Sequence, residues 1–429
     1  MYDAKILKEL AMENLLQFIV LGLFLVAFAA IIFEEKIGFE KYKTSMFFGL
    51  SAWVLLLIEE HFKSKEAFDK MEHAFHEYVL EISMLWLFLI CAMTFVAYLD
   101  KRKWIEKVVM KTLPAQMSEK KFLFIMGAFT FLFSGVADNL TATLVALSIV
   151  LVVMKGATTD TLIRMAVMIV FAANAGGLPL ITGDVTTLMI FVAGKIHMVE
   201  LLRLYVPALV TSLVLYAYLA RGMNGSISIK KENVSINPLD TKIAVIFILS
   251  IACILAGHVA FHLPPMLVFL TGLSVMFLVI AHDKIKTKNE VKVLEYVQHV
   301  EFDALFFFLG VLLLVGALKE VELLGKLALL YEVMDPTLAT FFIGILSAVV
   351  DNIPITAAML KADLPLDEVG WMLMTYAVGI GGSILVIGSA AGVVAMSKVK
   401  ELTFGAYLKY TPVVFFVYTL GLGITYIVA

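Results

Sequence analysis

Two short stretches hold the residues best able to do chemistry. The first is Ser134-Gly135-Val136-Ala137-Asp138-Asn139-Leu140-Thr141, and it returns 213 residues later as Ser347-Ala348-Val349-Val350-Asp351-Asn352-Ile353-Pro354. Each copy joins an acid to an amide, with small and hydroxyl residues beside them. A carboxylate supplies charged oxygens and an amide a neutral one, the donor set of a small hard cation or a proton. Thr141, Thr143, Thr356 and Ser347 add hydroxyls close by. A third acid, Asp184, stands in Thr182-Gly183-Asp184-Val185-Thr186-Thr187, shortly after Asn174-Ala175-Gly176-Gly177-Leu178-Pro179. A carboxylate at the centre of a membrane helix costs roughly 2.5–3.5 kcal/mol on insertion scales. Acids retained there point to binding. The alternative for Asp138 and Asp351 is that they only pin a backbone turn through N–H contacts.

The elements around these residues are membranous. Of 429 residues, 61% are hydrophobic and 16% charged, against about 25% charged in soluble domains, and the mean hydropathy is +0.96. Runs such as Leu15–Ile32, Leu80–Leu99, Leu201–Ala220 and Ala304–Leu318 reach or approach the roughly 17–25 residues that cross a bilayer. Being apolar on all sides, they read as helices and not as barrel strands. Cys91 and Cys253 fall in such spans and are expected to be buried small hydrophobes. The chain carries no Walker-type phosphate loop, zinc-ligand cluster or nucleotide fingerprint, which argues against an ATP-driven pump and against an enzyme. The N-terminal apolar run is long enough to remain as a span.

In order, spans are expected near 14–32, 42–59 and 80–98. His61–Val79, with Phe68, Met71, Phe75 and Val79 at helical spacing, reads as a short interfacial amphipathic helix. Asp100–Lys121 holds seven Lys or Arg residues and is assigned to the cytoplasm by the positive-inside rule, together with Arg221–Thr241 and His282–Val300. Phe122–Phe133 is only a dozen apolar residues, too short to cross, so the two limbs around Asp138 read as a re-entrant hairpin. Glycines and Pro179 break the segment 160–195, freeing backbone groups whose natural partner is an ion or ordered water.

The second half repeats these landmarks. Glu301–Phe307 parallels Glu81–Leu87, Gly381-Gly382 parallels Gly176-Gly177, and Tyr410 and Pro412 parallel Tyr205 and Pro207. Constant offsets over many landmarks indicate an internal duplication. Threading the spans by charge inverts one copy relative to the other, the architecture that permits alternating access. The expected fold is therefore an all-α polytopic membrane protein of two inverted-topology repeats, with opposed re-entrant hairpins and discontinuous helices. Its expected parts are residues 1–79 (first spans and amphipathic helix), 80–220 (first repeat core), 221–241 (cytoplasmic linker), 242–300 (further scaffold spans) and 301–429 (second repeat core). The counterpart of Asp184, in Gly388-Ser389-Ala390-Ala391-Gly392, has no acid, so binding is not shared equally. Glu81 and Asp303, near the starts of matching spans, either line an access path or mark the interface.

In combination these motifs resemble the NhaD-type Na⁺/H⁺ antiporters of the wider ion transporter superfamily. The resemblance rests on Ser134–Thr143, Asn174–Gly177, Thr182–Met189 and Ser347–Pro354, with Gly381-Gly382-Ser383 and Ile387–Gly392 as a last motif. It implies ion- and proton-binding roles for Asp138, Asn139, Asn174, Asp184, Thr186, Thr187, Ser347, Asp351, Asn352 and Ser389, with Na⁺ or Li⁺ held by Asp138, Asp184 and Asp351. It further implies a bacterial inner-membrane homodimer, an elevator-like mechanism, no cofactor and no nucleic-acid partner. A serine expected three positions before Ser389 is replaced by Val386, and Ser383 lies one helical turn away as a substitute. Exchange would work by competition, because burial favours a neutral carboxyl while a bound cation favours the ionised one. The rival reading is a Na⁺-coupled anion or dicarboxylate carrier of the same fold. No Lys or Arg lies within either tip or either break to serve an anion.

Overall fold

A computed structural model describes residues 2–32, 34–229, 235–261, 263–287, 292–362 and 364–429, without the side chains of 2–14, 32, 35, 36, 255, 258, 259 and 326–328. Residues 230–234 of the linker 221–241, and 288–291 of the loop 282–300, lie outside the described residues.

The chain is helical almost throughout. Its helices include α1 (Tyr2–Ile32), α2 (Lys41–Lys63), α3 (Lys65–Lys101), α4 (Glu119–Ala137), α5 (Asn139–Val153), α6 (Thr159–Gly177), α7 (Val185–Val192) and α8 (Tyr205–Leu219). They continue as α9 (Pro238–Phe261), α10 (Pro265–Thr287), α11 (Phe302–Glu320), α12 (Pro336–Leu346), α13 (Asn352–Lys361), α14 (Glu368–Gly381), α15 (Ala390–Lys398) and α16 (Thr411–Val428). Among the described residues, eight helical segments are long and apolar enough to cross a membrane: α2, α3, α4, α6, Met198–Leu219, α10, α11 and α16. This is an all-α polytopic membrane protein with discontinuous helices. Polar side chains set several starts. Ser118 accepts from the Lys121 N–H at α4, Thr158 from Thr161 at α6, and Asp367 from Gly370 at α14.

Four expectations change. The amphipathic segment 61–79 is not a separate helix. After Ser64, residues 65–101 form one continuous 37-residue helix, because no glycine or proline interrupts it and only the environment changes along its length. The limb before Asp138 is longer than its dozen apolar residues suggested, since the Ser118 cap starts α4 at Glu119 and gives 19 residues. Cys91 is buried but Cys253 is exposed, on a helix whose outer face also carries Val245, Ile248 and Leu249. The basic loop 100–121 is ordered by an antiparallel ribbon, β1 (Gln116–Ser118) with β2 (Ser226–Ser228), where Met117 faces Ile227.

The chain divides into two compact units, each discontinuous in sequence. The first comprises residues 1–86, 301–339 and 353–366. Its centre is the α2–α11 pair, where Gly49 and Gly310 let backbone meet backbone. A Cβ on Gly49 would overlap the Gly310 carbonyl, and one on Gly310 would overlap the backbone at Ser45 and Met46. Small residues at such crossings let membrane helices gain close contact where lipid offers no hydrophobic drive. Trp53 Nε1 donates to Leu313 O at 2.8 Å, adding a buried hydrogen bond.

The second unit comprises residues 87–300, 340–352 and 367–429. It contains the breaks after α4, α6, α12 and α14. α6 and α14 are its most enclosed helices, with Met165–Gly177 and Gly370–Gly381 buried without interruption. At one end, Tyr98 Oη and Arg102 Nε both donate to Asp240 Oδ1, at 2.8 and 3.0 Å. Trp104 Nε1 reaches Thr241 Oγ1 at 3.1 Å. These bonds gather the ends of α3 and α9.

Candidate cation site

Asp138 occupies the one-residue gap between α4 and α5. Its φ is +64°, a left-handed conformation in which a non-glycine residue is strained. The carboxylate accounts for the geometry: Oδ1 accepts from the Thr141 N–H and Oδ2 from the Thr141 hydroxyl, both at 2.8 Å. Asp138 thus caps α5 and stays half-buried. Both readings of this acid meet in one residue, because its backbone contacts hold a charged group at a helix start.

Asn139 links the tip to the first broken helix. Its Nδ2 donates to Asn174 Oδ1 at 3.1 Å and to Asp184 Oδ2 at 3.3 Å. With the amide nitrogen committed, what Asn139 can offer a cation is its Oδ1. Thr143 donates to the Asn139 carbonyl at 2.7 Å and braces the same turn. Asn174, fully buried, spends both amide hydrogens on the second half, donating to Ser383 Oγ at 2.8 Å and Ser389 Oγ at 2.9 Å. It is a cross-link between the two broken helices.

Asp184 is buried at the start of α7, where Oδ1 accepts from the Thr186 N–H at 2.9 Å and the Thr186 hydroxyl at 2.8 Å. Thr186 therefore orients the acid. Thr187 donates elsewhere, to Leu178 O at 3.0 Å. Ser389 has the corresponding place before α15 and accepts from the Gly392 N–H at 3.4 Å. Val386 is fully buried, and a Cβ on Gly392 would overlap its carbonyl. The hydroxyl that meets Asn174 beside Ser389 is that of Ser383.

Asp351 precedes α13 and is half-buried, and Asn352, the first residue of that helix, is buried. Asp184 lies within electrostatic reach of both Asp138 and Asp351. Among the described residues, no three His, Cys, Asp or Glu side chains converge as a metal-holding group. Asp184 is coupled electrostatically to an acid at each tip. Such coupling is relieved by a proton or by a cation that also takes amide, hydroxyl or carbonyl oxygens.

The remaining candidates separate from this group. Glu81 forms an ion pair with Lys361 at 2.6 Å in the first unit, its side chain 55% exposed. Asp303 is exposed in the first turn of α11. Thr356 is buried on α13, in the part of the chain that belongs to the first unit. Ser347 is buried and donates to Val378 O at 2.9 Å.

That last bond has a twin, which sequence reading did not place in the site. Ser134 Oγ donates to Ala173 O, and the offsets 134 to 347 and 173 to 378 are the same 213 and 205 residues that relate the tips and the glycines. Hydroxyls also answer other carbonyls freed by the breaks: Thr182 reaches Gly135 O at 2.6 Å, Tyr407 reaches Ser383 O at 2.6 Å and Thr411 reaches Ile384 O at 2.9 Å. The expectation that these carbonyls wait for an ion or water is corrected at these positions, since protein hydroxyls already satisfy them. The glycines make the same approach twice. A Cβ on Gly176 would overlap the Phe131 carbonyl, and one on Gly381 would overlap the Gly344 carbonyl.

Comparison with known proteins gives the chain's family. The model of the citrate transporter family (CitMHS) matches residues 15–379. The Na⁺/H⁺ antiporter NhaD of Alkalimonas amylolytica is 33% identical over 441 aligned residues, covering 96% of this chain and 90% of that protein. NhaD of Vibrio cholerae serotype O1 is 31% identical, covering 93% and 89%. Sodium/proton antiporter 1 of Arabidopsis thaliana is 30% identical, covering 94% and 70%.

Proposed function

Because the chain belongs to the NhaD-type Na⁺/H⁺ antiporter family, within the ion transporter superfamily, we propose that it exchanges Na⁺, and Li⁺ as well, for H⁺ at Asp138, Asp184 and Asp351. It is a secondary-active transporter of the Na⁺/H⁺ type and not an enzyme, a multi-pass protein of the bacterial inner membrane. The observation that carries the site assignment is the pair of hydrogen bonds that the Asn139 amide donates to Asn174 and Asp184. It ties the acid at the first tip to the acid at the first broken helix.

Exchange follows from competition for the same oxygens. A proton on Asp184 removes the charge a cation needs, and a cation there removes the charge a proton needs. Thr141 and Thr186 hold two of the acids in place from their own helix starts, so little reorganisation accompanies loading. Ser383 and Ser389 act through Asn174, while Thr143, Thr187 and Ser347 brace backbone carbonyls. Glu81 and Asp303, both in the first unit, line an access path or mark the membrane interface.

The repeats are inverted in this reading, with residues 80–220 and 301–429 as their cores and the limbs around Asp138 and Asp351 as opposed hairpins. The paired serine–carbonyl bonds and paired glycine contacts support the duplication, and the charge bias of the loops supports its inversion. The site-bearing cores move in an elevator-like step against a scaffold that includes residues 1–79 and 242–300. Two copies associate through the first two spans and residues 61–79. The family model's description favours a second reading, Na⁺-coupled carriage of an anion such as a dicarboxylate.

The deciding experiment uses proteoliposomes with an imposed pH gradient and adds Na⁺, Li⁺, K⁺ or citrate. Proton movement driven by Na⁺ or Li⁺, absent in Asp138→Asn and Asp184→Asn, supports exchange. Na⁺-dependent citrate uptake without cation-driven proton movement would move the acids to a coupling-ion role and sink the antiporter reading.

A further inference from the structure

A groove of about 440 Å³ lies between the start of α9 and the end of α10. Its wall on α10 is one helical stripe: Val275, Leu278, Val279, His282, Asp283 and Lys286 follow at spacings of three and four. The stripe is apolar toward the middle of the helix and charged at its end, over about 16 Å of rise. From α9, Leu239 and Lys242 face it. Val275 and Leu278 are 41% and 68% exposed, so no other part of the described chain covers the apolar portion.

The charged portion is basic. Lys242 and Lys286 stand against a single acid, Asp283, which accepts from the Thr287 hydroxyl at 3.4 Å. Among the described residues neither lysine forms an ion pair. Across the first turn of α9, Lys101, Lys103 and Lys107 line a neighbouring hollow in which Asp240 is already paired with Arg102. Lining the two hollows, six Lys or Arg residues stand against two Asp. A free anion would need the lysines alone and leave the apolar stripe without a role. A second protein copy would have to bring acidic residues to the same depth. A glycerophospholipid presents both chemistries in the same order, acyl chain then phosphate.

We infer that this groove holds one anionic glycerophospholipid, with its phosphate against Lys242 and Lys286 and an acyl chain along Val275, Leu278 and Val279. The lipid fastens the α9–α10 pair, whose contact with the rest of the chain is slight along α10, where only 17% of the spanning window is buried. This inference stands independently of which ion is transported.

The test is native mass spectrometry of the detergent-purified full chain titrated with palmitoyl-oleoyl phosphatidylglycerol, the matching phosphatidylcholine, or inorganic phosphate. One phosphatidylglycerol should be retained in preference to phosphatidylcholine, and inorganic phosphate should not displace it. Lys242→Gln/Lys286→Gln should weaken retention about tenfold or more, and Lys286→Gln alone should weaken it in the same direction. Lys65→Gln/Lys70→Gln, removing equal charge from exposed positions at the start of α3, should leave it unchanged. Equal retention of phosphatidylcholine, displacement by phosphate, or equal losses in the two double variants would overturn the inference. So would full binding by both Lys286 variants.

Discussion

Asp184 and Ser389 hold the same station 205 residues apart: each is the N-cap of a short helix that resumes after a glycine-bearing break. The cap is shared and the charge is not. Replacing Asp184 by serine should therefore separate the two roles. Asp184→Ser keeps a capping oxygen, so its thermal stability should stay within about 1 kcal/mol of wild type. Na⁺-driven proton movement in proteoliposomes should fall to background. Retained exchange would show that the acid serves only the helix start.

Ser383 and Ser389 take the two amide hydrogens of Asn174. Ser383→Ala leaves one buried donor without its partner and loosens the link between the broken helices. Apparent Na⁺ affinity should weaken by about 1 kcal/mol, or roughly fivefold. Measuring the Na⁺ concentration for half-maximal exchange in Ser383→Ala beside Ser389→Ala tests this, and the two should shift in the same direction.

Gly176 and Gly381 have no room for a methyl group, whereas Gly423 has open space around it. Gly176→Ala and Gly381→Ala should each cost about 1–3 kcal/mol or more through overpacking, read as a fall in melting temperature in detergent. Gly423→Ala should match wild type.

The ion pair of Glu81 with Lys361 lies within the first unit, with the Glu81 side chain 55% exposed. Glu81→Gln should change stability by about 1 kcal/mol or less and leave the Na⁺ dependence of exchange where it was. A marked shift in that dependence would return Glu81 to the access path.

The membrane spans, the helix breaks and the two acid–amide tips were legible because each has a local cause. Uniform apolar runs make helices, glycines and Pro179 end them, and Asp138 or Asp184 beside threonine caps the next one. What stayed hidden has no local signature. The three-residue strands 116–118 and 226–228 are too short for an alternating pattern, so their pairing rests on a partner over a hundred residues away. The continuity of residues 65–101 was concealed by a change of composition that alters surroundings without touching the backbone. Ser134 carried a usable signal, its recurrence as Ser347, but only the structure showed that both hydroxyls serve carbonyls. The makeup of the two units was also beyond reach, because helix partners such as α2 and α11 are matched by bare glycine surfaces far apart in the chain.

The contacts at Gly176 and Gly381 bear on how access can change. Helix surfaces that meet through bare backbone permit almost no sliding. At Gly176 only a hydrogen fits against the Phe131 carbonyl. Limb and broken helix are thus geared together, and the Asn139 and Asn174 bonds span the gear. In the proposed elevator-like step, a cation at this junction would keep its ligands while the body that holds it changes what it faces.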